Sequence, residues 1–322
     1  MNEDIFKDLN DKLPGIQIDV LMSKQTTFKI GGPAEYFFSA KTKDQLIKSV
    51  KLAKEIGLPV FVFGGGSNLL VSSEGVKGLV VKNQIEKPIE LKESDIIEAP
   101  CGVVLGEVVD FAIKNSLKGI EWAGGLPGTF GGAIRGNAGA FGGEIKDTLF
   151  QVEALDNNFE EKTLSNKECD FSYRNSIFKQ KNWIVVSAQL KLEKGDKKEL
   201  RDIANSRIDY RKERHPLEYP NAGSIFKNID FKEVPEKFKD EFKDKVKQDP
   251  FEIVPAAWFI IGAGLTGKQI GKAQISQKHS NYIVNLGGAT AKDVLELIEF
   301  AKNSVKEKYG IILEAEIQAV GF

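Results

Sequence analysis

Two periods of apolar residues run through this chain, and they predict where its helices and strands lie. After Thr42-Lys-Asp-Gln45, a capping-box pattern, Leu46, Ile47, Val50, Ala53 and Ile56 recur at helical spacing until Gly57 ends the run. Pro59-Val-Phe-Val-Phe63 is too short for a helix and reads as a buried strand that runs straight into Gly64-Gly-Gly-Ser-Asn68. A further strand is predicted from Gly78 to Val81, so the first part of the chain is α/β. Val103 to Asn115 predicts a helix with Leu105, Val108, Val109 and Ala112 inward. Trp183 to Leu192 alternates as a strand, with Ile184, Val186, Ala188, Leu190 and Leu192 on one face. Helices follow near 197–213 and near 291–308, the second opened by Thr290-x-x-Asp293, and a strand from Ile311 to Val320 closes the chain. Residues 230–249 carry 13 charged residues in 20, with Val234, Phe238, Phe242 and Val246 at every fourth position. That pattern predicts one solvated amphipathic helix.

These elements divide into three units. Residues 1–80 form the first, with the end of the last strand, 318–322, expected to return to it; 81–195 form the second and 206–317 the third. A chain of 322 residues with 41% hydrophobic composition has enough apolar side chains for that many packed cores. Charge is balanced, 45 Lys and Arg against 46 Asp and Glu, which argues against a broad surface for nucleic acid or anionic lipid. Cys101, Cys169, His215 and His279 are too few for a disulfide framework, a four-thiolate zinc site or an HExxH zinc enzyme, and no metal is expected. The charge-free stretches 122–134 and 253–267 are shorter than the ~20 apolar residues of a membrane span, and the N-terminal residues lack a basic-then-apolar signal. The expectation is a soluble intracellular protein.

Glycine is the composition signal that changes the picture. Ten of the 31 glycines fall between Gly119 and Gly143, where an even spread would place about 2.4. Trp122, Leu126, Phe130, Ile134 and Phe141 sit among them, which a flexible linker would not contain. The run needs backbone that approaches something closely or takes positive φ. Gly262-Ala-Gly264-Leu-Thr-Gly267 also fits a dinucleotide fingerprint, but Gly271 interrupts the helix that should follow and the next acid is Asp293, so it is set aside. Gly64-Gly-Gly-Ser-Asn68 is the better phosphate loop, because consecutive amides without Cβ atoms can cradle an anion. Two Gly-rich loops on successive units suit one long ligand, and a dinucleotide such as FAD has that length.

The loops Phe63-Gly-Gly-Gly-Ser-Asn-Leu-Leu-Val71 and Gly125-Leu-Pro-Gly-Thr-Phe-Gly-Gly132, with the opening Thr27-Phe-Lys-Ile-Gly-Gly-Pro-Ala34, resemble the FAD-binding fold of the vanillyl-alcohol-oxidase class. More narrowly, these loops and four further motifs resemble the UDP-N-acetylenolpyruvoylglucosamine reductase family. The four are Asp170-Phe-Ser-Tyr-Arg174, Asn221-Ala-Gly-Ser-Ile-Phe-Lys-Asn228, His279-Ser-Asn-Tyr-Ile-Val-Asn285 and Gly310-Ile-Ile-Leu-Glu-Ala-Glu316. The resemblance runs from about residue 20 to the C-terminus. It implies an α+β fold: a two-part FAD-binding fold of the PCMH type followed by a C-terminal α/β substrate-binding domain.

It further implies non-covalent FAD, NADPH as co-substrate, a UDP-sugar substrate, and a cytoplasmic bacterial enzyme of peptidoglycan precursor synthesis, expected to be a monomer. By motif, Arg174, Ser224 and Glu316 are the implied catalytic residues. Gly64, Gly65, Gly66, Ser67, Asn68, Gly124, Pro127, Gly128, Thr129, Gly132, Asn137 and Gly139 are implied for the cofactor, and Tyr173, Arg214, Lys227 and Asn228 for the substrate. The chemistry suits these residue types: hydride addition to an enolpyruvyl ether builds charge on its carboxylate, which an Arg neutralises, and the ether carbon then needs a proton, which a hydroxyl can give. The rival within the same fold is an FAD-dependent sugar or lactone oxidase. Ile229 stands where the family usually has Pro, Arg135 stands where it more often has an apolar residue, and no tyrosine-bearing loop marks the longer subtype. The shorter subtype is therefore expected. His279 is expected to be a core histidine, and no histidine near the phosphate loop suggests a covalent flavin.

Overall fold

The computed structural model describes residues 3–85 and 88–322. The chain forms two compact units, one of Met1–Val20, Ala34–Gly65 and Lys77–Tyr210, the other of Leu21–Pro33, Gly66–Val76 and Arg211–Phe322.

The first unit holds two separate apolar cores. Helix Lys43–Glu55 turns Leu46, Val50, Leu52 and Ala53 inward against a four-stranded sheet in the order Gln17–Leu21, Pro33–Ala40, Val76–Asn83, Val60–Phe63. Thr42 caps this helix by accepting from Gln45 N at 3.2 Å, while Gln45 Oε1 accepts from Lys41 N, one residue before the position a capping box uses. The second core lies on a five-stranded antiparallel sheet in the order Glu161–Ser165, Leu149–Leu155, Ile184–Lys191, Ile96–Pro100, Glu90–Leu91. Helix Leu105–Lys114 packs Leu105, Val108, Val109 and Ala112 into it, as the sequence period predicts. Cys101 and Cys169 are buried in this core as free thiols, and desolvation pushes both upward, Cys169 to about 12, so they pack as small apolar groups.

The second unit is built on an antiparallel sheet in the order Asn221–Ser224, Tyr282–Asn285, Ala273–Ile275, Gln269–Ile270, covered by helix Ala291–Tyr309. Strand Gln318–Val320 runs parallel to Leu69–Val71, so the chain end comes back to residues just after the first Gly-rich loop. The predicted strand from 311 is regular only over these last residues. Earlier it stays extended and bonds irregularly, through a bridge between Phe226 and Ala315. The charged segment is not one helix. Pro235 starts a seven-residue helix, Glu236–Phe242, flanked by single 3-10 turns and short strands. Pro lacks the N–H that a continuing helix requires, and Val234 and Phe242 reach the core from separate pieces.

The discarded fingerprint has a structural explanation. Helix Ala256–Gly262 ends at its first glycine instead of starting there. A Cβ on Gly262 would stand 2.0 Å from Tyr309 Oη. Tyr309 needs that room because its ring packs with Phe259, Phe242 and Phe238, and its hydroxyl donates to Glu241 at 3.1 Å.

Thr290 and Asp293 close a full capping box at the start of Ala291–Tyr309, with Asp293 N to Thr290 Oγ1 at 3.1 Å and Thr290 N to Asp293 Oδ2 at 3.0 Å. Thr290→Ala is expected to lower stability by about 1 kcal/mol, read as a lower denaturant midpoint with unchanged slope.

Candidate active site

Candidate site residues occur in both units. In the first unit the two Gly-rich loops pack closely, Gly64 against the Thr129 side chain and Gly65 against the Gly128 backbone. A Cβ on Gly64 would lie 2.2 Å from Thr129 Oγ1, and one on Gly65 would lie 3.1 Å from Gly128 Cα. Strand Val60–Phe63 delivers the first loop, and the turn before helix Phe130–Arg135 delivers the second. Thr129 caps that helix by accepting from Gly132 N, while Phe130 N and Gly131 N donate to Val103 O and Cys101 O. Among the described residues, the amides of Gly64 and Gly65 donate to no protein group. The residues therefore fit an anionic cofactor: glycines where no side chain could stand, and amides left to donate.

The rest of the glycine window is packed within its own unit. Gly124 lies against Ala204, where a Cβ would meet its carbonyl oxygen at 2.5 Å. Asn137 is fully buried at φ 41°, and its side chain donates to Glu144 Oε1 and Ser172 O and accepts from Lys146 N. Those three bonds fix the loop that carries Gly139. Pro127 lies in the turn between Gly124 and Gly128.

Arg174 sits in a two-residue turn closed by paired bonds between Ser172 and Asn175, 3.1 and 3.0 Å. It has φ 55°, and Tyr173 before it does not have positive φ. Positive φ at that position usually calls for Gly or Asn, so an Arg there is strained. Three contacts hold it: Nη2 donates to Gly139 O at 3.0 Å, the guanidinium lies 5.0 Å from the Tyr173 ring centre, and Lys179 Nζ donates to the Arg174 carbonyl at 3.0 Å. Gly139 and Tyr173 thus support the same guanidinium.

In the second unit the stretches that follow Ser224 and lead to Glu316 are joined by backbone bonds. Glu316 N donates to Ile225 O at 2.7 Å and Lys227 N to Glu314 O at 2.9 Å, so the two motifs run side by side. Asn68 joins them by donating from Nδ2 to Glu316 O at 3.1 Å. Gly66 has φ 65°, and its carbonyl accepts from Thr27 N at 3.2 Å. Ser67 follows at the turn before strand Leu69–Val71. Lys227 pairs with Glu314 at 2.5 Å, Asn228 Oδ1 accepts from Ala256 N at 3.3 Å, and the exposed Arg214 approaches Glu213 at 3.5 Å.

Sequence reading passed over three residues behind Ser224. Asn281 bonds both sides of Ile225-Phe226: its carbonyl accepts from Ile225 N, its Oδ1 from Phe226 N, and its Nδ2 donates to Phe226 O. Tyr282 stands opposite Ser224 across the strand pair, and its Oη lies 3.1 Å from His215 Nδ1. The His279 ring packs edge-on against His215 at 5.5 Å. The one available signal was that the chain's two histidines flank two of the matching motifs. Burial, then the positive charges of His279, Arg211 and Lys278, press His215 down to about 4, and desolvation raises Tyr282 to about 12.

Two outcomes follow. Arg174→Gly is expected to be about 1 kcal/mol more stable than Arg174→Ala, since both lose the guanidinium and only Gly relieves the left-handed strain; paired denaturant curves measure this. His215 has a folded pKa below its unfolded value near 6.5, so the unfolded chain binds the extra proton between about 6.5 and about 4. Stability is therefore expected to fall as pH drops through that window, and to fall less in His215→Gln, read from melts across the range.

Among the described residues, none form a group of three or more metal-ligating side chains, and no helix is long and apolar enough to cross a membrane. Residues 34–164 match the family model for an FAD binding domain, and residues 215–320 match that for the C-terminal domain of UDP-N-acetylenolpyruvoylglucosamine reductase. The reductase of Caldanaerobacter subterraneus subsp. tengcongensis is 41% identical over 93% of this chain and 92% of its own. That of Clostridium novyi is 37% identical over 98% and 97%. The crystal structure of the Thermus caldophilus enzyme, MurB, superimposes with a TM-score of 0.75 at 32% identity, covering 95% of this chain and all of that one. With matches at this identity along almost its whole length, the chain belongs to the UDP-N-acetylenolpyruvoylglucosamine reductase family.

Proposed function

We propose that the protein reduces UDP-N-acetylenolpyruvoylglucosamine to UDP-N-acetylmuramate, using NADPH and non-covalently held FAD, as a cytoplasmic monomer supplying peptidoglycan synthesis. The observation that carries this reading is the pairing of 225–227 with 314–316, which runs the backbone just after Ser224 alongside that of Glu316 in the reductase motifs. In this reading the amides of Gly64 and Gly65, with Gly128 opposite them, receive the cofactor's pyrophosphate, and the other loop residues shape its bed. FAD, when bound, would take a hydride from NADPH and pass it to the substrate's methylene carbon. Arg174 offers its guanidinium to the substrate carboxylate, where negative charge develops, and its strained turn sets the direction of that donor in advance. Ser224 gives its hydroxyl proton to the ether-bearing carbon, and Glu316 orients groups beside it through its carboxylate. Lys227 and Arg214 meet the diphosphate or carboxylate of the nucleotide sugar, with Tyr173 and Asn228 packing beside it. Lys227 must then leave Glu314 or share it.

The test is anaerobic. The purified protein is expected to be yellow, to bleach with NADPH under nitrogen, and to recover its colour with product when the enolpyruvyl sugar is added. Ser224→Ala is expected to lose about 10²-fold or more of product formation while its bleaching by NADPH is unchanged. Recovery only with oxygen would make the protein an oxidase, and a colourless chain that takes up no FAD would overturn the reading.

A further inference from the structure

Behind Ser224 stands a short chain of polar rings within the second unit. Ser224 and Tyr282 are register partners across antiparallel strands, which puts their side chains on the same face of the pair. Tyr282 Oη is 3.1 Å from His215 Nδ1. The His215 and His279 rings lie 5.1 and 4.9 Å from the Tyr282 ring. Tyr282 is only 7% exposed. A Phe at this position would keep both ring contacts and spare the cost of burying a hydroxyl, so what Tyr adds is a polar link between a serine and an imidazole.

We propose that Tyr282 and His215 form a relay that aims the Ser224 proton at the substrate and replaces it once given. The inference rests on the reading that Ser224 is the proton donor, and it makes Tyr282 and His215 positioning residues. The protons balance as follows. The electron pair on the substrate's ether carbon takes the Ser224 Oγ proton, forming C–H as O–H breaks. The Tyr282 Oη proton passes to Ser224 Oγ, and the His215 Nδ1 proton passes to Tyr282 Oη. Water protonates His215 Nε2 and leaves as hydroxide, so the imidazole ends as its other neutral tautomer and returns by exchange with solvent. No member gains lasting charge, which a buried site would penalise.

The groups facing the chain fit this use. Burial first, then the charges of His279, Arg211 and Lys278, keep His215 neutral at working pH, so it can accept at one nitrogen as it releases at the other. Desolvation and the Glu316 charge keep the Tyr282 phenol protonated, while Arg211 and the Ser224 contact oppose them.

The experiment uses the FAD-loaded protein, its Tyr282→Phe and His215→Gln variants, and the double variant. Rapid-quench product formation from the enolpyruvyl sugar is expected to fall about tenfold in each single variant and no further in the double. That is less than the ~10²–10⁴-fold of a lost proton donor, because water can refill Ser224 slowly. Bleaching by NADPH and the substrate Kd should not change, and the curved dependence of rate on solvent deuterium fraction should become linear. Independently of turnover, the ¹⁵N shifts of His215 in the substrate-free protein should show Nδ1 protonated. Wild-type product rates and a wild-type deuterium dependence in both variants would overturn the relay alone. A wild-type protein that makes no product overturns the reductase reading, and the relay with it. Should a variant not fold, the ¹⁵N shifts decide: an unprotonated Nδ1 facing Tyr282 overturns the proposal.

Discussion

The end of strand Asn221–Ser224 depends on one buried residue, Asn281, whose backbone carbonyl takes Ile225 N and whose side chain serves Phe226. Beyond Ser224 the chain leaves its regular ladder with Tyr282–Asn285, and among the described residues the N–H and C=O of Phe226 find no backbone partner. Asn281 supplies both missing partners from one amide, accepting from Phe226 N at 3.0 Å and donating to Phe226 O at 2.8 Å. Buried backbone groups left unpaired cost ~1–3 kcal/mol each, so this is the cheapest way to end a strand indoors. On the far edge the same two residues take Glu316 N and the bridge to Ala315. The placement of the serine and the glutamate therefore traces to an amide that touches neither side chain.

In the first unit the equivalent constraint is backbone strain held by packing. Arg174 occupies a left-handed position that glycine would take without cost. It stays there because the turn is closed on both sides and because Gly139 O and the Tyr173 ring hold the guanidinium. Gly139 can present its carbonyl this closely only because it has no Cβ, which would meet Glu144 Cγ at 2.7 Å. Asn137 and Glu144, bonded to each other in the same loop, complete the support. A strained residue propped by this many independent contacts is what preorganisation of a charged donor requires.

The regular elements were legible because their signals are local. The Thr290 box and the helix at 105–114 depend on residues a few positions apart, and the structure keeps both. The alternation at 184–192 holds only from Ala188 on, because a bulge at Val186 turns Ile184 and Val186 to one core and Val185 to the other, where Ala188, Leu190 and Leu192 lie. The four-residue period of Val234, Phe238, Phe242 and Val246 was legible too, yet misleading. Pro235 outranked the period, and the apolar residues reach the core from separate turns. Of the candidate site, the motif residues could be named from sequence. What joins them could not be. That His215 meets Tyr282, or that Asn281 braces residues 225–226, follows from pairings across 55 to 67 positions, which leave no periodic trace.

The three Gly-rich stretches show what a glycine pattern means physically. Taken as a bare fingerprint, 262–267 fits GxGxxG and 64–66 does not, yet the residues around them favour 64–68. What a Cβ would meet points the same way. At Gly262 it would strike the hydroxyl of a core tyrosine, so that glycine serves packing, and Gly264 and Gly267 have positive φ in the turns that follow a finished helix. At Gly64 it would strike the Thr129 side chain and at Gly65 the Gly128 backbone of another Gly-rich loop, while among the described residues the two amides have no protein acceptor. Glycine spaced to clear a side chain closes a core. Glycine spaced to bring two loops together, with donors left over, leaves amides that can meet an outside anion, and that difference separates a structural motif from a candidate binding one.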